Sequence, residues 1–99
     1  MIRTEEYVKD GGTLYVVKDI RPKNGRLREI HECILGRVCS LDGLEHLDCY
    51  GRPTILSETS YDPGYMRHIH LSPVMSVNRD GDVVTVTTEN TVYVFELKG

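Results

Sequence analysis

Apolar and polar residues alternate most regularly in the last third of the chain. Val84 and Val86 interleave with Val83, Thr85 and Thr87, and Tyr93, Phe95 and Leu97 interleave with Val92 and Val94. A period of two sends successive side chains to opposite faces of a strand. The pattern predicts a C-terminal meander of three antiparallel strands at residues 69–77, 82–88 and 91–97. Asp80-Gly81 joins the first pair with a hairpin dipeptide tolerant of positive φ. Between the second pair, Glu89-Asn90 makes a two-residue connection in which Asn90 is able to adopt the left-handed conformation. Both faces of the last strand are apolar, which predicts that a helix or another subunit covers the second face.

Earlier in the chain the signal is more mixed. Residues 13–20 (TLYVVKDI) read as a strand, because β-branched and aromatic residues fill them. Arg21-Pro22-Lys23-Asn24-Gly25 follows as a turn. In residues 26–38, Leu27, Ile30, Ile34 and Val38 recur at the spacing of one helix face, so a short helix is expected there. The preceding turn suggests the alternative, a strand returning along residues 13–20. Ser40-Leu41-Asp42-Gly43 reads as another turn. Residues 53–57 read as a brief strand at a sheet edge, where the missing N–H of Pro53 does little harm. Residues 57–64 (SETSYDPG) read as a loop, and the first twelve residues as a polar lead-in. The fold class is therefore α+β and β-rich: an antiparallel sheet with a C-terminal three-strand meander and one short helix at about 26–38.

Composition supports this. The chain has no Ala and no Gln, both good helix formers, while Val, Ile, Thr and Tyr are plentiful. At 99 residues it is expected to be a single domain over 1–99. A core of that size buries roughly 60–70% of the unfolded surface, so self-association would add useful cover. No apolar run approaches a membrane span, and the first residues carry no apolar signal region, so a cytoplasmic location is expected. Cys33, Cys39 and Cys49 are an odd set without a CxxC pair, and they are expected to be free, buried thiols.

Charge narrows the function classes. A net charge of −3 argues against a general nucleic-acid coat. Eight of the twelve basic residues are nevertheless Arg, whose planar fork of donors suits phosphate and carboxylate. Residues 57–70 combine a hydroxyl-rich stretch, Tyr61 and Tyr65 for stacking, and Arg67, His68 and His70 as donors. Arg26, Arg28, Arg37 and Arg52 either solvate the surface or join this patch; on one helix, Arg26 and Arg37 would lie about three turns apart. No glycine-rich phosphate loop and no nucleophile elbow occurs, so no catalytic residue, no enzymatic activity and no cofactor are expected. The pairs His31-x-Cys33, His46-x-x-Cys49 and His68-x-His70, with Cys39, are potential zinc ligands. Their spacing fits no familiar zinc module, and no metal is expected.

The stretch Leu71–Leu97 resembles the C-terminal ends of phage-encoded Thoeris anti-defence sponges, through Ser72-Pro73-Val74 and Asn90-Thr91-Val92-Tyr93. That resemblance implies a non-enzymatic homo-oligomer that sequesters a nucleotide immune signal at a subunit interface, in the cytoplasm of the infected host. In that family the ligand is gripped by Arg and polar hairpin residues. Here Thr88 and Asn90 occupy the final hairpin, with no Arg beside them in sequence. The candidate ligand-binding residues are thus Tyr65, Arg67, His68, His70, Arg52, Thr88 and Asn90. The expected partner is a small nucleotide ligand or a host defence protein. In the second case Asp42, Asp62, Asp80, Asp82 and Glu89 would mimic nucleic-acid phosphates, as in an anti-CRISPR-like inhibitor. A small metal-stabilised interaction module is the remaining alternative.

Overall fold

A computed structural model describes all 99 residues. Eight strands form one antiparallel sheet: β1 (Ile2–Arg3), β2 (Tyr15–Pro22), β3 (Val38–Ser40), β4 (Thr54–Thr59), β5 (Asp62–His70), β6 (Val74–Asp80), β7 (Val83–Thr88) and β8 (Thr91–Leu97). Two short helices, α1 (Thr4–Lys9) and α2 (Glu29–Glu32), complete the chain. The spatial order β1-β5-β4-β3-β2-β8-β7-β6 leaves β1 and β6 at the edges. The fold is β-rich α+β, as the alternation predicts.

The meander forms as β6-β7-β8, with Val86 opposite Tyr93 and Val84 opposite Phe95. On the other side of β8, Ile20 pairs with Tyr93 and Val17 with Phe95. These six side chains share one face, and all are buried. They join Ile34, Ile55, Ile69 and Leu71 in one core cluster of 13 residues, so the two halves of the sheet close over common contents. On the reverse face, Val92 and Val94 are half-buried beside Thr87, Thr85, Arg21 and Asp19. Leu97 lies beyond the core, at the rim.

Several local expectations are corrected. The predicted strand at 69–77 is two strands: β5 ends at His70, Leu71-Ser72-Pro73 carries the chain across, and β6 starts at Val74. Pro73 cannot donate to a ladder, and its carbonyl instead accepts from the Glu89 N–H at 2.9 Å. Residues 57–64 are no loop, because β4 and β5 meet there around a tight turn at Ser60-Tyr61. The hydroxyl side chains that suggested solvent are inside: Ser57 and Thr59 are buried. Strand β4 lies between β3 and β5 rather than at an edge, and Pro53 sits just before it. Asn90 keeps a negative φ, because Thr88 closes the hairpin instead. Its Oγ1 donates to the Thr91 carbonyl at 2.8 Å and accepts the Thr91 N–H at 3.0 Å.

The short helix expected in residues 26–38 is confined to α2. Arg28 is still extended (φ −95°, ψ 163°), and its N–H donates to Nδ1 of His31 at 3.2 Å, which caps the helix start. Gly36, at φ +79°, reverses the chain into β3. Of the helical-spacing residues, Ile34 is fully buried, whereas Leu27 and Ile30 stay substantially exposed. The amino-terminal residues are also structured. The first two turns of chain make β1, paired to Tyr65 and Met66, and then α1. Tyr7 latches α1 to β3: its hydroxyl lies 2.5 Å from both Ser40 Oγ and Asp42 Oδ2. Gly12 packs so close beneath the Tyr7 ring that a Cβ there would lie 2.4 Å from it, while Gly11 turns the chain at φ +90°, so each glycine of the pair has its own structural cause.

Candidate functional site

A partly enclosed concavity of about 310 Å³ opens where the two halves of the sheet meet around the starts of α2 and β8. Ile34, Ile69, Leu71 and Tyr93 supply its apolar surface, Arg26, Arg28 and Arg52 supply its charge, and His70 adds an imidazole. No Asp or Glu side chain lines it. A concave, partly apolar pocket with a few convergent polar groups is the usual form of a small-molecule site.

Each part of the wall has a local cause. The turn after β2 ends at Gly25 (φ +82°) and releases Arg26-Leu27-Arg28 as an extended segment along the cleft. Neither Arg26 nor Arg28 has a carboxylate within salt-bridge distance, because neighbouring acids are engaged elsewhere. Glu29 accepts from the Tyr61 hydroxyl at 2.6 Å, and Asp19 holds Arg21 at 2.6 Å. The opposite wall is organised by Asp48. Its Oδ1 accepts the Tyr50 and Arg52 N–H groups at 2.8 and 2.9 Å, an Asx-type turn completed by Gly51 at φ +79°. Its Oδ2 lies 3.1 Å from the Arg52 guanidinium and 3.0 Å from His70 Nδ1. The Arg52 N–H holds the Asp48 carboxyl below its ordinary range, with the Tyr50 N–H and the charges of Arg52 and His70 adding to the effect. The Arg52 guanidinium also lies over the Tyr50 ring, 5.6 Å from its centroid.

His31 sits deep in the cleft, edge-on to Tyr93 with 5.9 Å between ring centroids. Burial, and then the charge of Arg28, lower its pKa, so the imidazole is neutral at pH 7. Because Nδ1 accepts the Arg28 N–H, the ring proton belongs on Nε2. No buried side-chain nitrogen or oxygen lacks a partner, and Nε2 has none in the protein, so this donor reaches solvent where the ring lines the cleft. Asn90 ties the rim together. Its Nδ2 donates to Ser72 Oγ at 2.8 Å, and its carbonyl accepts the Lys23 N–H at 2.9 Å.

Of the sequence-predicted site residues, the cleft gathers Arg52, His70 and Asn90. Thr88 is fully buried in its hairpin and does not reach the cleft. Arg67 is held by Asp62 at 2.5 Å, and Tyr65 faces Arg3 across the β1–β5 pair. His68 is exposed on the face of β5 that carries Leu56 of β4. The patch at residues 57–70 is therefore dispersed by its own strand, while Arg26 and Arg28 join the cleft. Sequence reasoning missed His31 and Tyr93 as lining residues. For Asp48 there was a legible signal, the Asp-x-x-Gly-Arg spacing of a side-chain-capped turn.

No three His, Cys, Asp or Glu side chains come together as a potential metal site. Cys33 and Cys39 are buried as expected, and burial pushes the Cys39 thiol up to about 12, whereas Cys49 is exposed because the Asp48 turn carries it at the surface. Among the carboxylates proposed to mimic phosphates, Asp42 and Asp62 are already engaged by Tyr7 and Arg67. No helix is long and apolar enough to cross a membrane. No family model, curated protein or solved structure matches the chain.

Proposed function

We propose that this protein binds a small phosphorylated ligand of the nucleotide class in the Arg26–Arg28–Arg52 cleft and withholds it from solution unchanged. One observation carries the reading: three guanidiniums and a histidine converge on a concave, partly apolar surface that contains no carboxylate. Arg offers two parallel donors to a phosphate, and such charge-assisted bonds are about twice as strong as neutral ones. The aromatic and aliphatic surface from Tyr93, Ile69 and Leu71 suits the ring of a base or sugar.

The side chains present favour holding over reaction. A nucleophile needs a base to activate it and a third group to orient that base. No cysteine lines the cleft, Nδ1 of His31 is occupied by a backbone N–H, and His70 leans on Asp48. The likeness of Leu71–Leu97 to Thoeris anti-defence sponges supplies a setting: a phage protein that removes a nucleotide immune signal from its host. In that setting the half-buried Val92 and Val94 would lie against another copy.

Native mass spectrometry of the protein purified from cells making such a signal tests this. The expected result is a retained nucleotide, recovered chemically intact after denaturation, together with the subunit number. An altered nucleotide would identify an enzyme instead. The direct-inhibitor reading has one observation in its favour, the exposure of Met75 and Val77 on edge strand β6. It predicts salt-sensitive capture of a defence protein with no small-molecule mass shift.

A further inference from the structure

The charges of the cleft are unevenly distributed, and that unevenness specifies the ligand. On one wall, Asp48 pairs with the Arg52 guanidinium at 3.1 Å and lies 3.0 Å from Nδ1 of His70. On the other, Arg26 and Arg28 have no carboxylate partner, and Glu29 beside them is drawn away by Tyr61. The uncompensated charge therefore amounts to two guanidiniums on a single extended segment.

We infer that the cleft selects a nucleoside monophosphate, with the phosphate monoester on Arg26 and Arg28 and the ring against Tyr93. This rests on the proposed nucleotide-binding reading and narrows its ligand. Three quantities agree. A phosphate monoester carries about −1.5 to −2 near pH 7, which matches two unpaired guanidiniums, whereas a phosphodiester carries one negative charge. Its three terminal oxygens can accept from both forks and from Nε2–H of the neutral His31, the donor facing the same space. The cleft volume of about 310 Å³ lies at the small end for ligand pockets, which suits one nucleotide rather than two. Asp48, behind the opposite wall, pairs with Arg52 and so leaves less free charge there for a second phosphate.

Isothermal titration of the whole chain with the four common nucleoside 5′-monophosphates tests the inference. Parallel titrations use the matching 3′,5′-cyclic monophosphates, cyclic dinucleotides and unphosphorylated nucleosides. At least one monophosphate should bind about tenfold or more tightly than its cyclic diester, and its nucleoside should give no measurable binding. Arg26→Ala and Arg28→Ala should each weaken the monophosphate about tenfold. Both side chains are exposed and unpaired, so the variants should keep the wild-type circular dichroism and melting temperature. Equal or tighter binding of a cyclic diester or dinucleotide, or indifference to both Arg substitutions, overturns this inference and leaves nucleotide binding standing. Failure of every nucleotide to bind overturns both.

Discussion

The two halves of the sheet are held together by different physics. In β8, β7 and β6, strands adjacent in sequence are adjacent in space, tight hairpins join them, and Val or Thr occupies most paired positions. In β1, β5, β4 and β3, two of the strands are only two or three residues long, the β4–β5 pair shifts register between Glu58 and Thr59, and polar side chains do much of the fastening. Thr4 donates to Glu58 at 2.5 Å, Tyr7 engages Ser40 and Asp42, and Asp48 builds its own turn. The first half is a hydrophobic ladder and the second a set of polar latches around shared apolar contents. The cleft opens at the seam, where a rigid ladder carries Tyr93 and Asn90 while latched segments carry the arginines.

The largest effect should come from the ladder. Phe95 is fully buried between Val17 and Val84, and Phe95→Ala should cost ~3–5 kcal/mol through lost transfer energy and the cavity left behind. Urea unfolding would measure it, with a single transition expected because both halves share the core. Two separate transitions would break the picture of common contents. A latch should matter less. Tyr7→Phe removes the bonds to Ser40 and Asp42 and should cost ~1 kcal/mol. Hydrogen exchange should quicken first in α1 and β1 and hardly at all in β7. A loss as large as that of Phe95→Ala would erase the distinction between latch and ladder.

The smallest effect is a difference in reactivity without a change in stability. Cys49 is exposed in the Asp48 turn, whereas Cys33 and Cys39 are buried, with the Cys39 thiol pushed up to about 12. A thiol reagent at pH 8 should modify Cys49 alone in the native protein and all three after unfolding. Modification of Cys39 without denaturant would show that the latched half opens on its own.

The same contrast explains what the sequence discloses. In the ladder, alternation, β-branching and turn dipeptides all point the same way, so β7 and β8 are read nearly to the residue. The break at Leu71-Ser72-Pro73 is partly legible, since Pro73 argues against a continuous strand. In the latched half, local chemistry misleads. Ser57 and Thr59 look like loop residues because hydroxyls favour turns, yet long-range pairing with β5 buries both. The lead-in looks flexible because Gly11-Gly12 says nothing of the Tyr7 ring that demands Gly12. The cleft follows suit. Arg52, His70 and Asn90 stand out by residue type, but only the fold shows that Arg26, Arg28 and His31 face them.

The pairing of β2 with β8 has a consequence for synthesis. The register runs from Tyr15 opposite Leu97 to Pro22 opposite Thr91, so an early strand can complete its hydrogen bonding only with a very late one. At ~5–20 residues per second, a ribosome leaves β2 without that partner for on the order of 4–15 s. During this interval Val17 and Ile20 have no Phe95 or Tyr93 to pack against, and the nascent chain is open to chaperones and to misplaced strands. Strand β8 is thus the zipper's slider. The cleft, which needs Asn90 and Tyr93, cannot exist before it arrives.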